Sequence, residues 1–193
     1  MPPSCSADDA VITTDRATVV LQALFARSAA FCLPEVSEPA AGSTLSACTS
    51  AACANTPNTC AGALSPPTIS FDPSTATFSA TADITVTGAA TLPPLSCSTL
   101  QISAPGTTFS GTLQATLDPS DNPVGVQYSV ANLVVNADSI AVSGCGAVVD
   151  SALSIAVGLI KTSLEQSVAT LLSQQTFSAP CASTSASAGS TGE

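Results

Sequence analysis

From residue 77 to residue 87 the chain alternates without an exception: Phe78, Ala80, Ala82, Ile84 and Val86 are apolar, whereas Thr77, Ser79, Thr81, Asp83, Thr85 and Thr87 are polar. A period of two points successive side chains to opposite faces of a strand, so this stretch predicts a sheet with one buried and one wet face. Leu100 and Ile102 continue the alternation after Pro93-Pro94; Pro105-Gly106 interrupts it, and Phe109, Leu113, Ala115 and Leu117 resume it on odd positions. The run Asp118-Pro119-Ser120-Asp121-Asn122-Pro123 then predicts a reversal of the chain. Beyond it Val124, Val126, Tyr128 and Val130 share one parity, Leu133 and Val135 take the other, and Ile140 and Val142 return to the first. Two parity changes in so short a stretch predict β-bulges, which bend a sheet.

On either side of this region the period becomes that of a helix. Apolar residues at 12, 17, 20, 21, 24 and 31, with Asp8 and Asp9 as caps, predict a helix over 9–31 that stops at Pro34. After Gly144-Cys145-Gly146, the stripe Val149, Leu153, Val157, Ile160, Leu164, Val168 and Leu171 predicts a second helix running to about residue 175. Asp150 sits near the positive end of its dipole. About thirty residues at 1.5 Å each make roughly 45 Å, which predicts one helix lying lengthwise in a long trough. Between Pro34 and Pro67 neither period is present, and Cys48, Cys53 and Cys60 fall close together, so the segment reads as a stapled loop with Cys32 as its fourth member. The expected organisation is therefore a helix and cysteine-rich loop (1–67) packed on a domain of sheet plus helix (68–181), followed by a low-complexity tail (182–193). The fold class is α+β, with a strongly curved antiparallel meander around a long C-terminal helix.

Charge narrows the functions open to such a fold. Charged residues are 8% of the 193, and 29 Ser and 24 Thr supply most of the polarity. Arg16, Arg27 and Lys161 stand against thirteen acidic residues, a net charge of −10, and no basic cluster is available to neutralise phosphates. Nucleic acid is excluded as a partner, and at most a weak contact with a membrane surface remains. The absence of histidine removes Ser-His-Asp and Cys-His nucleophiles and every His-based metal site. Neither a cofactor nor catalysis is expected.

The cysteines are Cys5, Cys32, Cys48, Cys53, Cys60, Cys97, Cys145 and Cys181. Their even number and wide spacing, without paired C-x-x-C knuckles, predict disulfides rather than a metal site. The chain is accordingly expected in an oxidising compartment: secreted, extracellular or periplasmic. Its start shows neither a charged n-region nor an apolar h-region, and Cys5-Ser6 lacks a preceding lipobox, which makes lipoprotein anchoring through Cys5 the lesser reading. Pairings among the cysteines are left open by spacing alone.

Long amphipathic strands, a bent last strand Ser129–Cys145, a long apolar helix to Gln175 and then Cys181 give an order that resembles the N-terminal half of the tubular lipid-binding superfamily, the bactericidal/permeability-increasing and lipid-transfer proteins. The resemblance covers about residues 68–181 and rests on element order. It implies a curved sheet wrapped around the helix, a lipid held between them, and a disulfide joining Cys145 to Cys181. The chain departs from the family in being strongly acidic, in having room for one half of the double architecture, and in carrying the segment 34–67.

On this reading the ligand wall consists of Phe78, Ala80, Ala82, Ile84, Leu113, Ala115 and Tyr128 from the sheet, with Leu153, Val157, Ile160, Leu164 and Val168 from the helix. The same residues would equally serve as plain core, and become a wall only if Ala80, Ala82 and Ala115 leave space opposite the stripe. Tyr128 is either core or a polar anchor at a pocket mouth. Asp118, Asp121 and Asn122 read as turn caps rather than calcium ligands. Lys161 and Glu165 read as an i, i+4 ion pair rather than part of a Ser-Lys catalyst. The expected function is non-catalytic binding or transfer of a lipid or other elongated apolar molecule; the alternative is a secreted structural or adhesive module whose hydroxyl-rich face is O-glycosylated or packs against neighbours.

Overall fold

In the computed structural model the described residues are 10–40, 43–48, 59–117 and 125–180. The elements are α1 (Thr14–Arg27), β1 (Ala30–Pro34), β2 (Val36–Ala40), β3 (Ser43–Ala47), β4 (Thr59–Leu64), β5 (Thr68–Asp72), β6 (Thr77–Leu92), β7 (Leu95–Leu117), β8 (Gly125–Asn136), β9 (Ala141–Ser143), α2 (Ala147–Ile155), α3 (Val157–Ser173) and β10 (Thr176–Pro180). All ten strands belong to one antiparallel sheet curled into a half-barrel, with the path β1-β4-β6-β7-β8-β10 and β2, β3, β5 and β9 attached beside it. The α+β class and the curved sheet are present.

The alternation in β6 is carried through: the even positions 78 to 86 are buried and the odd ones exposed. Where the sequence loses its period at Pro105-Gly106, the strand does not stop. Ala82 faces Thr107 and Ile84 faces Ala104, so Asp83 stands opposite two residues and β7 continues through a bulge. The Asp83 carboxylate fixes it by accepting the Gly106 N–H at 2.8 Å, with Gly106 at φ +63°. The first parity change in the next strand is also a bulge, between the pairs Ser110/Val134 and Thr112/Ala131. The second is a break, because β8 ends at Asn136 and the return to the first parity at Val142 belongs to β9, which pairs with β7. The predicted reversal at 118–123 lies outside the described residues.

Three expectations require correction. The first helix is shorter than 9–31: Thr13 caps it by accepting the Arg16 N–H, and it ends at Arg27, after which Phe31 and Leu33 alternate inward as β1. The segment read as a stapled loop contributes β2, β3 and β4 to the same sheet as the rest. These strands are only five or six residues long and rich in Ser, Ala and Thr, too short to display a period. The long C-terminal helix is two helices, α2 and α3, bent by 68° at Ala156. Gly158, which costs about 1 kcal/mol in a helix interior, stands one residue into α3. No 45 Å rod lies in a trough.

Cys145 is bonded to Cys97, not to Cys181, which lies outside the described residues. Register explains the choice: β9 pairs with β7 at Gln101–Ser103, bringing the chain just after Ser143 alongside the start of β7. A second disulfide joins Cys48 to Cys60 and so ties the end of β3 to β4, and Cys32 is disulfide-bonded as well. Gly144 at this junction and Gly106 at the bulge opposite Asp83 contrast a tight and an open position. Gly144, at φ +98°, approaches the Thr99 carbonyl so closely that a Cβ would collide with it, whereas a Cβ on Gly106 would meet nothing within 4 Å. Gly106→Ala is expected to cost only the left-handed conformation, about 1 kcal/mol, whereas Gly144→Ala adds a backbone collision and costs at least about twice that. Thermal melts of the two variants rank them, and equal losses would mean that the approach of Gly144 to Thr99 is not tight.

Candidate functional site

The sequence-predicted ligand wall converges, but on a filled interior. Phe78, Ala80, Ala82, Ile84, Leu113 and Tyr128 from the sheet and Leu153, Ile160, Leu164 and Val168 from the helices all belong to one buried cluster. Ala115 is half-buried against it. Val157 is half-buried at the elbow and is not part of the cluster. Tyr128 is fully buried, which places it in the core and not at a pocket mouth. The exposed side of the helix pair carries Val148, Ile155 and Leu159.

The filling comes from the first helix, whose apolar stripe is legible in the sequence but whose place over this part of the sheet is not. α1 packs against β5 and β10 and drives Ala17, Val20, Leu21, Leu24 and Phe25 into the cluster. Phe109, registered opposite Ala80 on β7, receives Phe25 edge-on with ring centroids 5.1 Å apart. Small side chains on β6 therefore make room for a ring pair. The end of α1 is fixed by Arg27, whose Nη1 donates to the Thr176 carbonyl at 2.6 Å and whose guanidinium lies 5.3 Å from the centre of the Phe177 ring. A cation in the last helical turn also suits the helix dipole.

The apolar space that remains lies on the other side of Phe25. Phe25 and Ala26 in the last turn of α1, with Ala29 just beyond it, face the corner between β4 and β5 formed by Leu64, Pro66 and Pro67 across a pocket of about 450 Å³. Gln22 and Ser65 supply its polar groups. The corner is held independently of any occupant, since Ser65 N–H donates to the Asp83 carbonyl and Asp83 N–H donates to Ser65 Oγ, at 2.9 and 2.8 Å. A pocket of this size and character is typical of small-molecule sites. The pattern does not reveal this pocket, because its corner falls in the segment 34–67 that lacks a period; the Pro66-Pro67 pair next to an apolar Leu64 is the available signal.

Charged groups make local bonds. Lys161 forms the expected i, i+4 pair with Glu165 at 3.6 Å and also donates to Asn136 Oδ1 at 3.2 Å, while Glu165 accepts the Ala137 N–H at 2.8 Å. Asp150 accepts the Cys145 N–H at 3.0 Å, capping the start of α2, where Gly146 offers no side chain. At the β5–β6 hairpin the Asp72 carboxylate accepts bonds from the Ser74 hydroxyl and N–H and from Thr75, and the Ser74 bonds above all hold its pKa below the ordinary carboxylate value. Among the described residues no three Cys, Asp or Glu side chains come together as a metal site. No family model matches the chain, and no curated protein matches it either.

Proposed function

We propose that the protein is a non-catalytic carrier or receptor for an apolar ligand of the acyl-chain class, held between a helix and the sheet. The observation that carries this reading is the pocket of about 450 Å³ between α1 and the β4–β5 corner, bounded by Phe25, Leu64, Pro66 and Pro67. It keeps the helix-against-sheet geometry that the tubular lipid-binding resemblance implies, with α1 in place of the C-terminal helix. The disulfides Cys48–Cys60 and Cys97–Cys145 are compatible with an oxidising, extracellular location.

Affinity in such a site comes from removing methylenes from water, about 0.8 kcal/mol each, so roughly two of them make a tenfold difference. Across fatty acids of increasing length, binding is expected to tighten in that proportion and then level off once the pocket is full. It should be nearly insensitive to salt, because the lining residues carry no formal charge. Ala26→Phe places a ring in the pocket from the exposed side of α1 and should weaken binding at least about tenfold while leaving the melting temperature within a few degrees. A fluorescent fatty-acid titration on the parent and this variant is the measurement. Absence of binding by the parent, or unchanged binding by the variant, would favour the structural or adhesive reading, which mass spectrometry would support by finding glycan mass and no extractable lipid.

A further inference from the structure

The outer face of the sheet is built of hydroxyls in cross-strand rows. Thr68, Thr81 and Thr108 form one row; Ser70, Ser79 and Ser110 form the next; Asp72, Thr77 and Thr112 form the third. Neighbours within a row are about 4.8 Å apart and rows about 6.7 Å apart, as the strand spacing and the two-residue repeat require. The second and third rows, together with Gly111 and Asn132, line a cleft of about 400 Å³. A bulge shapes it. Between the pairs Ser110/Val134 and Thr112/Ala131 the register slips, and Asn132 adopts φ +52° on the facing strand. Gly111 contributes no side chain at the slip; a Cβ there would stand 3.1 Å from Phe78 Cε1 and 3.0 Å from the Ala131 carbonyl oxygen. Phe78 faces Gly111 in register and is buried on the inner side of the sheet, so its ring closes the sheet beneath the cleft and stays out of a ligand's reach.

We propose that this cleft is a second binding site, for a neutral sugar unit. Its lining offers five hydroxyls, of which that of Thr77 shares a hydrogen bond with Thr75, one amide and one carboxylate, with no Lys or Arg. An anionic ligand would meet Asp72 and the net charge of −10 without a compensating cation. A hard cation would find a single carboxylate, whose oxygens are already engaged with Ser74 and Thr75. A purely apolar ligand would strip water from the hydroxyls and leave them unpaired. A sugar ring presents hydroxyls around its rim, which can pair as donors and acceptors with those of the rows. The site is independent of the apolar pocket beside α1, and each can fail without the other.

Ligand-observed saturation-transfer NMR with maltotetraose, cellotetraose and xylotetraose at millimolar concentration tests the proposal. At least one probe is expected to receive transfer, equally at low and high salt. Ser79→Ala combined with Ser110→Ala removes two facing hydroxyls from the cleft and is expected to lower affinity about tenfold. Thr85→Ala combined with Ser103→Ala removes a registered pair from the same face outside the cleft and should leave it unchanged. Silence from all three probes, loss of transfer at high salt, or equal weakening in both double variants would overturn the assignment.

Discussion

Ile84→Asp is expected to abolish cooperative folding, and Thr85→Asp, one residue along the same strand, to leave the protein folded. Ile84 is 1% exposed in the centre of the cluster, and Thr85 lies on the outer face. Losing the isoleucine forfeits about 2 to 3 kcal/mol of apolar burial, and a carboxylate placed there must be buried without a partner or protonated, at a further cost of several kcal/mol. Together these approach the whole stability of an ordinary domain, roughly 5 to 15 kcal/mol. At Thr85 the new carboxylate faces water, with Asp83 two residues away on the same face. The like charge and the poorer strand propensity of aspartate cost about 1 kcal/mol at most. Thermal melts followed by circular dichroism separate the two, and comparable losses at both positions would mean that the outer face is covered in the folded protein.

The contrast is legible in the sequence because a strand with one wet face writes its burial directly into a two-residue pattern. Phe78 to Val86 were read correctly for that reason, as was the start of the helical region at Gly144-Cys145-Gly146. Helices α2 and α3 were legible as an apolar stripe but not as two pieces. The inward positions Val149, Leu153, Ala156, Ile160, Leu164 and Val168 keep steps of three and four across the elbow, and the outward Val148, Ile155 and Leu159 are equally apolar, so neither periodicity nor polarity marks the bend. The short strands β2 to β4 carry too few residues to show alternation, and their place is fixed by pairing: β3 and β4 both hydrogen-bond to β6. Eleven of the twelve expected wall residues pack in or against one buried cluster, Val157 being the exception, but as core and without a void between them. Whether small residues leave a void depends on what another element inserts, and here Phe25 of α1 occupies the space over Phe109. The sugar-binding cleft lies beyond pattern reading as well, since its shape depends on a register slip between β7 and β8.

Pairing across the sheet also decides the second large effect, that of removing the Cys97–Cys145 disulfide. The bond closes a sequence separation of 48 residues, against 12 for Cys48–Cys60. Loop-closure entropy assigns about 4 kcal/mol to the longer loop and about 3 kcal/mol to the shorter. The double variant Cys97→Ala, Cys145→Ala is therefore expected to lose about 4 kcal/mol, or very roughly 8 to 16 °C in melting temperature for a chain of this size. Local consequences add to the difference. Cys145 immediately precedes α2, whose N-cap Gly146 makes no side-chain bond, so the disulfide, with the Thr99 hydroxyl donating to the Gly144 carbonyl at 2.6 Å, holds that helix start beside β7. Hydrogen exchange should accordingly show α2 amides losing protection well before those of β6, whose pairing to β7 remains intact. Urea titrations of this variant and of Cys48→Ala, Cys60→Ala, compared at fixed slope where the slopes agree, measure the ranking. A larger loss from the Cys48–Cys60 pair, or uniform loss of protection in α2 and β6, would show that the longer bridge does not anchor the helix to the sheet and that α2 is held by its packing on β3, β6, β9 and α3.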